Sequence, residues 1–385
     1  MKFELPLLCL LTFLLLFSCV SMEPELGFEV QAIHTDQDNN IYLAASGHAI
    51  VPKFLHSSQT DWWIKKYDSE LNEIKWGWNK KIDRRSSQDY PSDILINSSN
   101  EILIGGTGGA RGRAYDWWIL KWNTRGRRIR QWDMVWDGTG SYANVYAMVQ
   151  NNQGDIYAGG DLLYAIDEDS GFDGVVNKFD HNGKIISDFS PLIYNKGGSD
   201  SVTALAVDSE WLYVAGDSDF MVEESLVYEG WLRKYESDGA TLSELWNVTI
   251  DFDDYNKIRD ILILPDRSVF VVGWSFIRHY TEDGELIAGN WRDRYKDNII
   301  LHACLVDGEV IVIFNEFIDY KRSTIVDRMA LSGNPIDGGE HFFSIEDSDL
   351  SLATVDLDGN YIFASGSVIS KYDSEGQLLE LKSIF

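Results

Sequence analysis

The stretch Ile156-Tyr157-Ala158-Gly159-Gly160 decides the fold, because it returns along the chain. Near-copies stand at Ile41-Tyr42-Leu43-Ala44-Ala45, Ile102-Leu103-Ile104-Gly105-Gly106, Leu212-Tyr213-Val214-Ala215-Gly216 and Val269-Phe270-Val271-Val272-Gly273. Val310-Ile311-Val312-Ile313-Phe314 and Tyr361-Ile362-Phe363-Ala364-Ser365 complete seven copies. Each copy is almost wholly apolar, the pattern of a strand covered on both faces. A second motif follows each one, a basic or imidazole residue before a large side chain. The pairs are Lys66-Tyr67, Lys121-Trp122, Lys178-Phe179, Lys234-Tyr235, His279-Tyr280, Arg328-Met329 and Lys371-Tyr372. Four positions later stands Gly126, Gly183, Gly239, Gly284, Gly333 or Gly376, with Leu71 in the first copy.

Around these anchors each repeat reads as four short strands. The first is a run such as Val202-Thr203-Ala204-Leu205-Ala206-Val207, ending at an Asp or Asn turn. The recurring apolar run is the second, and the Trp63-Ile64-Lys65-Lys66-Tyr67 type is the third. Its turn, as in Asn182-Gly183, feeds a fourth strand that often carries Trp (Trp76, Trp132, Trp246). No stretch has a sustained helical period. From Glu29 to Phe385 there are 357 residues, or 51 for each of seven copies. That period, with four antiparallel strands and Gly/aromatic punctuation, predicts an all-β, seven-bladed β-propeller occupying residues 29–385 as one unit. Each blade is built from one contiguous segment, so no shared strand staples the ring shut.

The repeat resembles the bacterial β-propeller-repeat families of the SBBP type, whose blades read roughly Asp-x-Trp-hydrophobic-x-Lys-Tyr-x-x-x-Gly. Asp61-Trp62-Trp63-Ile64-Lys65-Lys66-Tyr67 and Asp116-Trp117-Trp118-Ile119-Leu120-Lys121-Trp122 match it best. Gly230-Trp231-Leu232-Arg233-Lys234-Tyr235 follows without the Asp, and repeats 5 to 7 lack the Trp. The resemblance implies a fold and no activity.

Composition bounds the function. The chain carries 61 acidic against 33 basic residues, a formal net charge of -28, which excludes a nucleic-acid binder. At 44% hydrophobic it builds a large core. The 14 Trp, 18 Tyr and 18 Phe are largely accounted for by repeat positions. Leu5 to Ser18, behind Lys2, reads as the core of a signal peptide spanning residues 1–18. It ends Leu16-Phe17-Ser18-Cys19, which resembles a bacterial lipoprotein signal. That resemblance implies a lipid on Cys19 as mature residue one, a short tether over 19–28, and an exported, envelope-anchored protein. Cys304 then remains as a single thiol in an apolar run.

Candidate sites follow from blade geometry. Loops joining second to third strands, and fourth strands to the next blade, open on one face, here called the top; first strands line the channel. Counting back from the closing turn aligns Gln31, Ser92, Tyr146, Thr203, Arg259, His302 and Ser351, all polar or polar-tipped, with Asp93 and Asp260 one place on. They predict either a ligand-binding channel mouth led by Arg259 and His302, or merely the polar lining of a wet channel. Residues 65–130 carry 14 basic and 8 acidic residues, leaving -34 on the remainder. Arg84, Arg85, Arg111 and Arg113 fall in top loops of blades 1 and 2, and Arg125, Arg127 and Arg128 on the opposite face. Asp217, Asp219, Glu223 and Glu224 crowd the far side of the top. Trp62/Trp63 and Trp117/Trp118 are expected to pack between blades, whereas Trp274, Trp291 and Tyr255 are expected near the top surface, where a ligand could touch them.

Other motifs carry no chemistry. Gly105 to Gly112 leads into a strand, not a helix, so it lacks a phosphate loop's amides. Asp356-Leu357-Asp358-Gly359-Asn360 reads as a hairpin turn, lacking a calcium loop's distal Glu. The histidines show no metal spacing, and neither metal nor cofactor is implied. The expectation is a monomeric, non-catalytic propeller that binds an envelope protein or glycan through its top face. The alternative is a lyase or hydrolase acting on an extracellular polymer at the channel mouth. There His302 would move protons and Arg259 would stabilise an oxyanion, beside Asp93 and Asp260.

Overall fold

The computed structural model describes residues 28–47, 60–83, 88–109, 115–136, 142–163, 171–222, 225–236, 244–251, 257–288, 291, 294–318, 321–336, 341–346, 350–366 and 368–384. They form seven antiparallel sheets, each from consecutive strands, arranged as a seven-bladed β-propeller. Blade 1, for example, runs Phe28–Thr35, Ile41–Gly47, Asp61–Tyr67 and Lys80–Ile82 from channel to rim. Six sheets have four strands. Blade 5 has three among the described residues (Ile258–Ile263, Val269–Gly273, Ile277–Tyr280), with Trp291 and Tyr295 packed where a fourth would lie.

The core lies between the blades. Seven apolar clusters are present, one at each blade-to-blade seam, because a sheet with two apolar faces must bury both against neighbours. Trp62 and Trp117 are fully buried in these seams, which explains their repeat-phase spacing.

One interaction recurs at the seams. The ring of Trp132, at the rim of blade 2, lies flat on Gly183 in the outer turn of blade 3, and its indole Nε1 donates to the His181 carbonyl at 2.8 Å. Trp246 repeats this on Gly284 and Glu282 O (2.9 Å), and Trp291 on Gly333 and Leu331 O (3.4 Å). Trp78 donates to Thr124 O at 3.3 Å, two residues before Gly126. These glycines sit at φ of 73 to 83°, a left-handed backbone, and a Cβ at Gly183 would stand 2.7 Å from the Trp132 ring. Two independent reasons thus require glycine at one position.

Beneath the ring sits the third-strand lysine. Lys121 Nζ is 5.0 Å from the Trp132 ring centroid and 2.7 Å from Glu101, and Lys66 is 4.7 Å from the Tyr42 centroid and 3.6 Å from Asp36. Each ammonium is buried but satisfied by a carboxylate and an aromatic face.

The closing seam between blades 7 and 1 solves the same problem differently. Leu71 takes the glycine position at φ 58°, fully buried, in a cluster with Ile362, Ile369 and Ile384. The Ser69 carbonyl, which elsewhere would accept an indole N–H, accepts Lys371 Nζ at 2.8 Å instead. Asn39 donates to Asp358 at 2.7 Å, and Leu357 N donates back to Asn39 at 2.9 Å. Among the described residues no strand crosses this seam.

Two outcomes follow. Trp132→Ala removes the ring, its hydrogen bond and the aromatic face over Lys121; denaturant unfolding should show a loss of about 3–5 kcal/mol. Because blades 1 and 7 share no strand, their amides should exchange faster than those of blade 4 in native-state hydrogen exchange, and a less protected blade 4 would contradict this account of closure.

Candidate functional site

The channel is shaped by a repeated irregularity. In six first strands one residue bulges out of register with the second strand: Gln31, Ser92, Tyr146, Thr203, Arg259 and Leu301. A bulge bends the strand and re-aims its side chains, here at the channel wall. It also presses first-strand backbone onto the second strand, so that a Cβ at Gly160 would collide with the Asn144 carbonyl oxygen. In blades 1 to 5 the small residue near the end of the apolar run is the counterpart of the bulge, while blade 6 accommodates it opposite Ile313 and Phe314.

This register corrects the alignment by counting. Leu301, not His302, holds the bulge position in blade 6; His302 pairs with Ile313 one place later. That is the position held by Asp93, opposite Gly105, and by Asp260, opposite Val272. Blade 6 turns tightly at Asp307-Gly308, where other blades use longer turns, so counting back from the turn slips by one.

Arg259, His302, Asp93 and Asp260 line one cavity of about 200 Å³ in the channel, with Gln31, Ser92 and Leu352. All four charged or polar groups are half-buried in the channel wall. Asp93 accepts Met148 N at 2.7 Å, and Asp260 accepts Ile261 N at 2.8 Å. Arg259 Nη1 donates to the Ile300 carbonyl at 2.9 Å. Among the described residues His302 makes no hydrogen bond, and Arg259 forms an ion pair with neither carboxylate.

Desolvation dominates the titration of these groups. It pushes Asp93 up to about 7, opposed by the Met148 and Ile94 amides and reinforced by the charge of Asp260. It raises Asp260 to about 6, with the Ile261 amide and Arg259 pulling back. It lowers His302 to about 4, helped by His34 and Arg259, so the imidazole is neutral at pH 7. Cys304, farther along the same wall, is raised to about 12 by burial and the nearby Asp260, and is inert as a thiol.

The other expected site residues are dispersed. Tyr146 exposes its ring but donates its hydroxyl to Asp161 at 3.0 Å. Asp161 also accepts from Asn144 (2.7 Å) and Ser201 (3.1 Å), a polar hub across blades 3 and 4 that repeat reading missed. Trp274 is 39% exposed on the short top connection of blade 5. Trp291 is corrected outright: it is buried as a seam tryptophan and unavailable to a ligand. Arg84, Arg85, Arg111 and Arg113, Cys19, Glu223, Glu224 and Tyr255 lie outside the described residues.

Two further features are structural. A cleft of about 480 Å³ between blades 6 and 7 is lined by Glu309 and Arg328, which pair with each other. Asp61, Asp83 and Asp89 approach within 4.8 Å, but Lys81 pairs with Asp61 at 2.7 Å and Gly109 N donates to Asp89 at 2.9 Å.

No protein-family profile and no curated protein matches the sequence. Solved structures do share the fold. An ulvan lyase of a new polysaccharide lyase family, bound to -[GlcA(1-4)Rha3S]-, aligns over 94% of each chain at a TM-score of 0.50 and 11% identity. The Pyrococcus horikoshii acylaminoacyl peptidase aligns over 92% of this chain and 52% of its own, at 0.51 and 12% identity. A catalytically inactive virginiamycin B lyase from Staphylococcus aureus, solved with quinupristin, aligns over 94% and 86%, at 0.37 and 11% identity. At such identities the likeness shows the propeller and no activity.

The Asp93 carboxyl has a stability consequence with a definite sign. Unfolded, it titrates near pH 4; in the channel it keeps its proton to about pH 7. Its contribution to folding is therefore complete below the unfolded value and is lost as pH rises through about 7. Asp93→Asn keeps the acceptor for Met148 N and removes the ionisation. Relative to the parent it should gain about 1–2 kcal/mol between acid and mildly alkaline pH, after screening by channel water. Urea unfolding across that range checks it, and identical pH profiles would contradict the buried-carboxyl assignment.

Proposed function

We propose that this chain is an exported, lipid-anchored propeller of the cell envelope that binds a protein or glycan partner through its top face and channel mouth without transforming it. The reading begins with the signal-peptide pattern and Cys19, which supply the address, and with a repeat whose likeness to SBBP-type propellers implies the scaffold but no activity. The observation that carries it is the way the channel groups are held. Arg259 is turned to the Ile300 carbonyl, Asp93 to the Met148 and Ile94 amides and Asp260 to the Ile261 amide. Every group keeps hydrogen-bonding capacity for a ligand, yet none forms the nucleophile–base or base–orienter pair that covalent catalysis uses. A cavity of about 200 Å³ holds a terminal group or one sugar-sized unit, which suits recognition of an end or a protruding side chain.

A second reading has its own observation. His302, Arg259, Asp93 and Asp260 share one cavity, with an imidazole neutral at pH 7 and a carboxyl that titrates at about 7. A neutral base, a cation and a proton donor are the parts of a polymer lyase or hydrolase.

Purified full-length chain, titrated with defined envelope glycans and their protein partners, should bind one class in a salt-sensitive manner. Charge reversal at Arg84, Arg85 and Arg111 should weaken that binding about tenfold or more. Unchanged capture removes the top-face arginines from the interface. Release of new chain ends from an anionic polysaccharide, abolished in His302→Ala, would replace the binding reading with the enzymatic one.

A further inference from the structure

The channel cavity holds charges that do not neutralise each other. Elsewhere in the ring buried ammonium groups find a carboxylate: Lys121 with Glu101 at 2.7 Å, Lys178 with Asp155 at 3.1 Å, Lys371 with Asp356 at 2.8 Å. In the channel a guanidinium and two carboxylates line the same 200 Å³, and no ion pair forms among them. Asp93 and Asp260 occupy the same register position in blades 2 and 5, and Arg259 occupies the bulge beside Asp260. Backbone amides hold each carboxylate, Met148 and Ile94 for Asp93 and Ile261 for Asp260, and an ionised carboxylate keeps acceptor capacity beyond these. Arg259 uses one N–H on Ile300 O; of its five donors the rest are uncommitted among the described residues.

We propose that this cavity binds a small zwitterion, an α-amino acid or the terminal residue of a peptide carrying both ammonium and carboxylate groups. The ligand ammonium lies between Asp93 and Asp260, its carboxylate takes the free guanidinium N–H groups of Arg259, and His302 supplies a neutral hydrogen bond to either end. Ammonium-to-carboxylate and guanidinium-to-carboxylate contacts are charge-assisted, and the guanidinium fork suits a carboxylate in particular. Size agrees: at roughly 30 Å³ for each water, the cavity exchanges about six or seven waters for one amino acid. A lone cation would leave Arg259 unanswered, a lone anion would leave the carboxylates unanswered, and a neutral sugar would answer neither charge. The inference rests on the binding reading and names the chemistry of its channel component.

Proton linkage gives a second signature. Asp93 is faced by Asp260, Arg259 and His302, with His34 and Cys304 farther along the wall. An ammonium favours the ionised carboxylates, so binding releases protons where those groups are partly protonated, around pH 6 to 7. Affinity should rise with pH through that window and level off above it.

The test is calorimetric titration of the full-length chain with alanine, leucine and lysine as zwitterions, against methylamine, acetate and glucose. Expected are binding of at least one amino acid, about tenfold or greater weakening with methylamine or acetate, and proton release that depends on buffer ionisation at neutral pH. Arg259→Met and Asp260→Asn should each weaken amino-acid binding about tenfold or more, with the circular dichroism spectrum of the folded parent retained. Arg259→Lys, which keeps charge but not the fork, should recover part of the loss. No amino-acid binding, equal binding of methylamine, or binding of glucose alone would overturn the proposal. If envelope partners are still captured while amino acids fail, the zwitterion site alone is wrong. If the bound molecule is chemically altered, the binding reading beneath it fails as well.

Discussion

The ring depends on a tryptophan laid against a glycine across each of several seams. A propeller blade has two apolar faces and no shared strand with its neighbour, so seam contacts must set both distance and angle. The Trp132–Gly183 contact does both: the ring fixes the spacing, and the indole donating to His181 O fixes the azimuth. Glycine there is doubly constrained, by its left-handed backbone and by the ring above it. The lysine beneath the ring depends on the same geometry, since its burial is tolerable only between an aromatic face and a carboxylate. Where the tryptophan is missing, as at the closing seam, an ammonium takes over the carbonyl and aliphatic side chains take over the packing.

A second constraint acts from the inside. The first-strand bulge recurs at one level of the ring, and in blades 1 to 5 the second strand carries an alanine or glycine opposite it, whereas blade 6 sets Ile313 and Phe314 there. The channel lining is thus set by backbone, and individual blades vary the side chains on it freely. Most carry Gln, Ser, Thr or Tyr at the bulge; blade 5 alone places Arg there. Chemistry enters where blades depart from the common repeat.

This explains which parts were legible in the sequence. Blade number, strand order and the seam role of Trp62 and Trp117 follow from periodicity, because the same physical problem is solved seven times. Trp291 reads as a surface residue because blade 5 shows no regular fourth strand among the described residues, so the pattern is lost while the packing role persists. His302 was placed one residue out because counting from a turn assumes turns of equal length. Its cavity with Arg259, Asp93 and Asp260 was found despite that error, since either register leaves all four near one end of the channel. The Asp161 hub was invisible, because Asn144, Tyr146 and Ser201 come from separate strands with no common spacing.

The contrast between seam and channel locates function more sharply than composition does. At the seams, charge is paired at short range, and each partner is held by packing. In the channel, Arg259 and Asp260 are close enough to influence each other's titration, yet do not pair. Holding unneutralised charge in a walled space costs free energy, and the neutral imidazole of His302 adds nothing to offset it. An apolar channel, or one ringed by Ser and Gln, would close the propeller equally well. What the arrangement offers instead is a set of opposed charges already desolvated and aimed at a common space, so that a ligand bearing the complementary pair supplies the neutralisation that the fold leaves undone.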